Sequence, residues 1–339
     1  MGKKYGTLVI CAVILFLCFL GTASAKTWYV DDDGGADFET IQGAIFDRNV
    51  TDKDTIIVRA GTYIENVEVN KSLTIKSERG ATATTVQARD INDYIFWVYA
   101  DYVMISGFKV EGSDLPGIQL DPAKYCNISN NYITKCDIGI ALDRSNNNSI
   151  TNNHCINNMD NAIDLDYSNN NCVTNNICSH NRGNGIDLSK SYYNSILNNT
   201  CSLNVDSGID LDNSDNNSIS NNHCSDSMRD SIDLWFSNNN NIYLNNFITG
   251  VPNNFDCVKS TNVWNTTEKV TYSYNGSTYR NYLGNYWGDS IRTDADGDGI
   301  CNVSYIINGD KDNYPLMMPF WDYIISRSNL EETEKLDIE

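Results

Sequence analysis

Residues 208–212 read GIDLD, and the phrase returns as AIDLD at 162–166, GIDLS at 185–189 and SIDLW at 231–235. Weaker copies are GIQLD at 117–121 and GIALD at 139–143. The isoleucines Ile118, Ile140, Ile163, Ile186, Ile209 and Ile232 are spaced by 22 residues once and then by 23 four times. Ten residues later comes a second apolar column, Ile128, Ile150, Val173, Ile196, Ile219 and Ile242. Five residues on comes a third, Ile133, Cys155, Cys178, Cys201, Cys224 and Phe247. Polar residues flank each column in period-two alternation, the pattern of short half-buried strands.

Three strands in 23 residues leave no room for helices, and a propeller blade needs a repeat about twice as long. The spacing predicts an all-β fold, a right-handed single-stranded parallel β-helix of about ten coils of 22–23 residues, with neighbouring coils ~4.8 Å apart. Stacking then explains the composition. Asn131, Asn153, Asn176, Asn199, Asn222 and Asn245 form one column, and Asn148, Asn171, Asn194, Asn217 and Asn240 another. Asparagine tolerates the left-handed backbone of tight turns and can pass amide hydrogen bonds along a stack. Cys155, Cys178, Cys201 and Cys224 occupy a core slot as small hydrophobes. A metal-binding thiolate ladder is the competing reading, but an in-register file does not give zinc its tetrahedron.

The full sequence of 339 residues carries 44 acids against 24 Lys and Arg, a formal charge of −20. That field repels polyanions and argues against nucleic acid as a partner. Residues 1–25 have the form of a secretory signal: Lys3 and Lys4, an apolar run from Leu8 to Leu20, and the small residues Ala23, Ser24 and Ala25. An N-terminal anchor is the alternative, although the run is short for a span. No later apolar stretch exists, so removal of the signal leaves a chain with no membrane partner, secreted or held at the cell surface. Nine N-x-S/T sequons, from Asn49 to Asn302, fit an exterior location.

The segment WYVDDDGGADFETIQGAIFDRN, from Trp28, suggests a strand and an amphipathic helix with Phe38, Ile41, Ala44 and Ile45 on one face, an N-terminal cap for an open solenoid end. DTIIVRAGTYIENVEVNKSLTIKSE, from Asp54, supplies the strands of a first coil. This opening is similar to that of pectin methylesterases and other members of the pectate-lyase-like superfamily. The Asn-rich repeats resemble those of NosD-like β-helix proteins. The closing stretches NTTEKVTYSYNGSTYRNYLGNYWGD and TDADGDGICNVSYIINGDKDNYPLM resemble the last segment of secreted NosD-like proteins of methanogenic archaea, and the likeness covers essentially the whole mature chain. It implies a surface or secreted protein whose fold is shared with carbohydrate-binding and carbohydrate-cleaving proteins. The family's copper association is not carried over, because no Met/His/Cys cluster supports it. Asn302 stands where the family pattern has an Asp.

Two candidate sites follow. Period two points the acid between Ile and Leu outward, so Asp164, Asp187, Asp210, Asp233 and Asp256 are expected to stack, with Asp166 and Asp212 in a parallel outer column that also holds Asp121 and Asp143. At ~4.8 Å two carboxylates repel by about 0.9 kcal/mol in water and roughly 3.5 kcal/mol at an effective dielectric of 20. Bound Ca2+, partial protonation or salt must offset this. The second site is DADGDG, with Asp294, Asp296 and Asp298, completed by Asp310 or Asp312. An EF-hand is excluded because Tyr305 stands at its twelfth position, and a structural Ca2+ loop or a metal-free Asx turn remain.

The expected organisation is a signal over 1–25, a β-helix with its cap over 26–265, a C-terminal capping segment over 266–325 and an acidic tail over 326–339. The expected role is a non-catalytic surface presenting its acidic face to cations, a polysaccharide, or a cell-envelope glycan or protein. The alternative is a polysaccharide-acting lyase, hydrolase or epimerase. An enzyme should show a groove where unlike residues from different coils converge, whereas a presenting surface should show uniform ladders.

Overall fold

The computed structural model of the chain describes residues 25–248, 255–290, 292–308 and 310–326. The expected signal, except Ala25, and the tail beyond 326 lie outside the described residues. The chain winds as a three-faced parallel solenoid. Face one stacks nine strands, from Val67–Val69 through Ile163–Asp166 to Phe255–Val258. Face two stacks ten, from Thr27–Val30 to Asn241–Tyr243, and face three ten, from Gly61–Ile64 to Tyr286–Trp287. The crossovers are right-handed, as parallel strand connections in twisted sheets require. All three apolar columns point inward and are buried.

Register is held by identity. Ile163 pairs with Ile186, Ile186 with Ile209 and Ile209 with Ile232. Cys155, Cys178, Cys201 and Cys224 pair rung to rung between Ile133 and Phe247. These thiols are fully buried and free of disulfides, and burial pushes Cys155, Cys178 and Cys224 well above the ordinary thiol range. Neutral thiols in a dry core pack as small hydrophobes. The glycine before the Ile-Asp-Leu phrase answers to this column: a Cβ on Gly208 would stand 2.9 Å from Cys224 Cβ and 2.6 Å from the Ser231 carbonyl.

The asparagines divide their work more finely than expected. The bend falls one residue before each laddering amide. Asn152, Asn175 and Asn198 have φ of 57°, 58° and 55°, while Asn153, Asn176 and Asn199 lie buried and carry the ladder. In each rung the Oδ1 accepts the backbone N–H of the previous asparagine, and the Nδ2 donates to a carbonyl of the preceding coil. Asn199 Oδ1 accepts from Asn176 N at 2.9 Å, and Asn199 Nδ2 donates to Val173 O at 2.8 Å. Two further ladders were not anticipated: Asn158, Asn181 and Asn204 at the corner after face three, and the serines Ser145, Ser168, Ser191, Ser214, Ser237 and Ser260 after face one.

At the N-terminal end the helix Ile41–Phe46 buries Ile41, Ala44 and Ile45, and Glu65 accepts from the backbone amides of Ile41 and Gln42. The strand before the helix is a rung rather than part of a separate cap, since Thr27–Val30 pairs in parallel with Thr55–Val58. The C-terminal segment departs further from a plain lid. Tyr286–Trp287 re-enters the solenoid as the last rung of face three, and Asn285 extends the asparagine ladder by accepting from Asn245 N at 3.1 Å. The antiparallel hairpin of Val270–Tyr274 and Ser277–Asn281 packs beside this rung with a cluster of Tyr272, Tyr274 and Tyr323.

Candidate functional site

Face one places its outward acids as the spacing predicts. Strand pairing sets Asp164 beside Asp187, Asp187 beside Asp210, Asp210 beside Asp233 and Asp233 beside Asp256. In the second column Asp166 pairs with Asp143 on one side and Ser189 on the other, and Asp212 lies between Ser189 and Trp235. The first column is far less solvated than an outward position suggests. Asp164, Asp187 and Asp210 are half-buried, and Asp233 is 5% exposed. A neighbouring corner adds Asp160, Asp206 and Asp230 beside them, so the ladder forms the floor of an acidic trough.

Burial, followed by neighbouring carboxylates, lifts these acids out of their usual range. Asp164 is pushed up to about 6, Asp210 to about 7 and Asp230 to about 6, and Asp187 and Asp233 are also raised. Opposing contacts are few. Asn161 donates to Asp164 at 3.2 Å and Asn184 to Asp187 at 2.9 Å, but Ser207 takes that place on the next coil and makes no such bond. Arg229 approaches Asp206, Asp230 and Asp233 at 3.5–3.8 Å. One oxygen of Asp233 is buried without a hydrogen-bond partner among the described residues.

The column is not acidic throughout. Toward the N-terminal end its rungs are Glu68, Trp97, Gln119 and Ala141 before Asp164 begins. Trp97 lies 5.0 Å from Tyr99 and 6.1 Å from Tyr94 between ring centroids, and its indole N–H is buried without a partner among the described residues. Face one thus runs from an aromatic platform into a carboxylate ladder. The sequence contained this signal in YIFWVYA at 94–100, which carries no repeat phrase and was not singled out.

The C-terminal loop brings ligand oxygens of Asp294, Asp296 and Asp298 within 4.8 Å of one another. Asp294 also closes the loop as an Asx turn, accepting from Gly297 N at 2.7 Å and Gly299 N at 2.9 Å. Asp310 and Asp312 do not join this group, which corrects the expected ligand set. Asp310 accepts from Asn262 N and the Trp264 indole at 2.8 and 2.9 Å. Asp312 is fully buried, accepting from Asn285 N, the Trp287 indole and Tyr314 N. Both acids bind the returning chain to the solenoid because tryptophan and backbone N–H groups inside the cap have no water to bond with.

Face three holds a feature that repeat analysis missed. A cavity of about 770 Å³ is bounded by the loop residues Ala81 and Thr82 and floored by Lys109, Tyr132 and His154. These three occupy one outward column on consecutive rungs. No period announces them, since unlike residues at equivalent positions leave no pattern.

Comparison with known proteins matches residues 77–164 and 158–290 to the family described as periplasmic copper-binding protein (NosD). A cell surface glycoprotein of Methanothermus fervidus is 33% identical over 132 residues, covering 39% of this chain and 21% of the relative, so the chain spans about a fifth of that protein. Among solved structures, a pectate lyase superposes with a TM-score of 0.54 at 15% identity, covering 71% of this chain and 75% of the lyase. The A-module of a mannuronan C-5 epimerase from Azotobacter vinelandii gives 0.51 at 14% identity, covering 73% and 80%. An alginate lyase from Paenibacillus sp. strain FPU-7 gives 0.51 at 18%, covering 70% and 91%. Likeness at these identities establishes the pectate-lyase-like β-helix fold. The copper in the family description does not fit the converging ligands found here. Among the described residues, the groups of three or more His, Cys, Asp or Glu whose ligand atoms come together are all carboxylates, Asp31–Asp32–Asp33 and Asp294–Asp296–Asp298. Oxygen-only sets suit hard cations, and copper prefers imidazole and thiolate.

Proposed function

The chain belongs to the family described as periplasmic copper-binding protein (NosD), and from that premise we propose that it is a cell-surface β-helix protein whose first face binds divalent cations and, through them and its aromatic platform, a cell-envelope glycan. The observation that carries this reading is the file of five stacked aspartates, several with proton affinities raised toward neutrality by burial and mutual repulsion. A half-desolvated carboxylate file with so few cationic neighbours leaves charge for a bound cation to offset. Trp97 and Tyr99 offer flat apolar rings with polar edges at the end of that file, the usual means of holding a sugar ring beside hydrogen-bonding groups. The name of the Methanothermus relative supports a surface location. No helix among the described residues is long and apolar enough to cross a membrane.

Thermal melts at pH 8 with and without Ca2+ test the cation step. The wild-type protein should gain stability with Ca2+. The variant carrying Asn at positions 164, 187, 210, 233 and 256 should gain much less. An equal gain in both would move the ion elsewhere, the Asp294 loop being the next candidate, and remove these aspartates as ligands.

A second reading, a polysaccharide-acting lyase, hydrolase or epimerase, draws on one observation. Unlike side chains from different coils do converge, though on face three rather than on the acidic face.

A further inference from the structure

The first rung of face two ends on a buried carboxylate where later coils use an amide. Thr27 pairs with Thr55, so Lys26 and Asp54 are equivalent residues on successive coils. Asp54 Oδ1 accepts from Lys26 N at 2.7 Å, just as Asn148 Oδ1 accepts from Cys126 N and Asn171 Oδ1 from Asn148 N. Where Asn148 donates through Nδ2 to the Ala123 carbonyl, Asp54 accepts again, from the Trp28 indole and from Thr51 N, both at 3.0 Å. Asp54 is 2% exposed. Burial would raise its proton affinity, but the bonds from Lys26 N, the Trp28 indole and Thr51 N, with a smaller effect of the Lys26 charge, hold it below the ordinary carboxylate range. No side-chain ammonium hydrogen-bonds to Asp54 among the described residues, and that of Lys26 lies over the Trp28 ring, 5.6 Å from its centroid.

The same clamp closes twice at the other end of the solenoid. Asp310 accepts from Asn262 N and the Trp264 indole, and Asp312 from Asn285 N and the Trp287 indole. Those two amides lie deep inside the chain, and Lys26 differs in what precedes it. Ala23 and Ala25 are the small residues at the third and first positions before a signal-peptidase cut, and Ala25 and Lys26 are both exposed. A cut between them would consume one water, leaving a carboxylate on Ala25 and an ammonium on Lys26 N. That nitrogen already stands at 2.7 Å from Asp54, a length suited to a charge-assisted bond. Cleavage would therefore turn an amide contact into an ion pair with a buried carboxylate, without moving the strand, and the remaining ammonium protons would face solvent.

We propose that the chain is cut between Ala25 and Lys26 and that Asp54 is the seat of the α-ammonium so released, locking the first rung of the mature solenoid. The proposal is independent of the acidic face. Mass spectrometry of the exported protein should find Lys26 at the N-terminus, and any other start overturns the proposal. Chains 26–339 and 25–339, released from a cleavable fusion, then present Lys26 N as an ammonium and as an amide. Acetic anhydride labelling against pH should show the Lys26 α-amine titrating at least one unit above the ordinary ~8, and the Ala25 α-amine near it. An amine whose folded-state value is raised contributes fully below the unfolded value and loses its contribution as pH rises through the folded one. Chain 26–339 should therefore melt about 2 °C or more above 25–339 at pH 7, with the gap closed by about pH 11. Asp54→Asn in 26–339 should return the α-amine to its ordinary value. An ordinary titration of the Lys26 α-amine, or equal melting of the two chains at pH 7, overturns the proposal even if Asp54→Asn is poorly folded.

Discussion

At Asp210 a carboxylate sits between Asp187 and Asp233, half-buried, with its proton affinity raised to about 7 by burial first and by Asp233 next. The sign of its effect on stability follows from linkage. A folded-state value above that of the unfolded chain means the native state holds the extra proton. Its contribution is therefore fully present below about pH 4 and is lost as pH rises through about 7. Asp210→Asn should raise the melting temperature at pH 8, by about 2–4 °C for each kcal/mol relieved, and leave it unchanged at pH 4. Differential scanning calorimetry at the two pH values decides this, and a variant less stable at pH 8 would mean the carboxylate is already compensated in the apo protein. The residue scale also holds what the repeat concealed. Trp97, Lys109, Tyr132 and His154 were present in the sequence, but Tyr132 and His154 return in their column only as Tyr286 and His223, several coils away, and only coil-to-coil contact makes Lys109, Tyr132 and His154 neighbours.

The asparagine ladders are the elements that fix the register. Asn199 lies buried with both ends of its amide engaged. Asn199→Ala strands the Asn176 N–H and the Val173 carbonyl, a cost of about 2–4 kcal/mol. Its neighbour Asn198 only turns the chain, at φ 55°, so Asn198→Gly should change stability by less than about 1 kcal/mol. Urea unfolding of the two variants separates the roles, and equal effects would contradict the division between bending and bonding residues. The column of Asn199 was legible from spacing, and that of Asn198 was not. Which asparagine bends and which bonds was not, since the two stand side by side and have the same composition. The C-terminal element was legible as a resemblance and as a capping stretch. Its re-entry through Asn285 and Trp287 was hidden because a 40-residue excursion separates Asn285 from Asn245, the rung it continues.

Across the whole molecule, charge is distributed by face. Acids collect along face one and its corner, where Lys135, Arg182 and Arg229 also stand, while Lys109 lies on face three. Self-repulsion along the acidic trough is long-ranged, and salt shortens its reach from about 10 Å at 0.1 M to about 3 Å at 1 M. Sodium chloride should therefore raise the melting temperature at pH 8, and raise it less at pH 4, where the trough is largely protonated. A salt response that is flat or inverted at pH 8 would mean that the trough does not strain the fold.

The sequence by itself determined the coil length, the inward columns of Ile, Val and Cys, the amide ladders and the vertical file of aspartates. A 23-residue period with strand alternation admits one way of stacking, and that stacking follows from local geometry. The tertiary structure decided how deeply the aspartates are sunk, where Asp310 and Asp312 bond, and that a long loop closes a groove over Lys109, Tyr132 and His154. Those outcomes depend on solvent exclusion and on contacts between dissimilar residues from separate coils, and a periodic pattern carries no record of either.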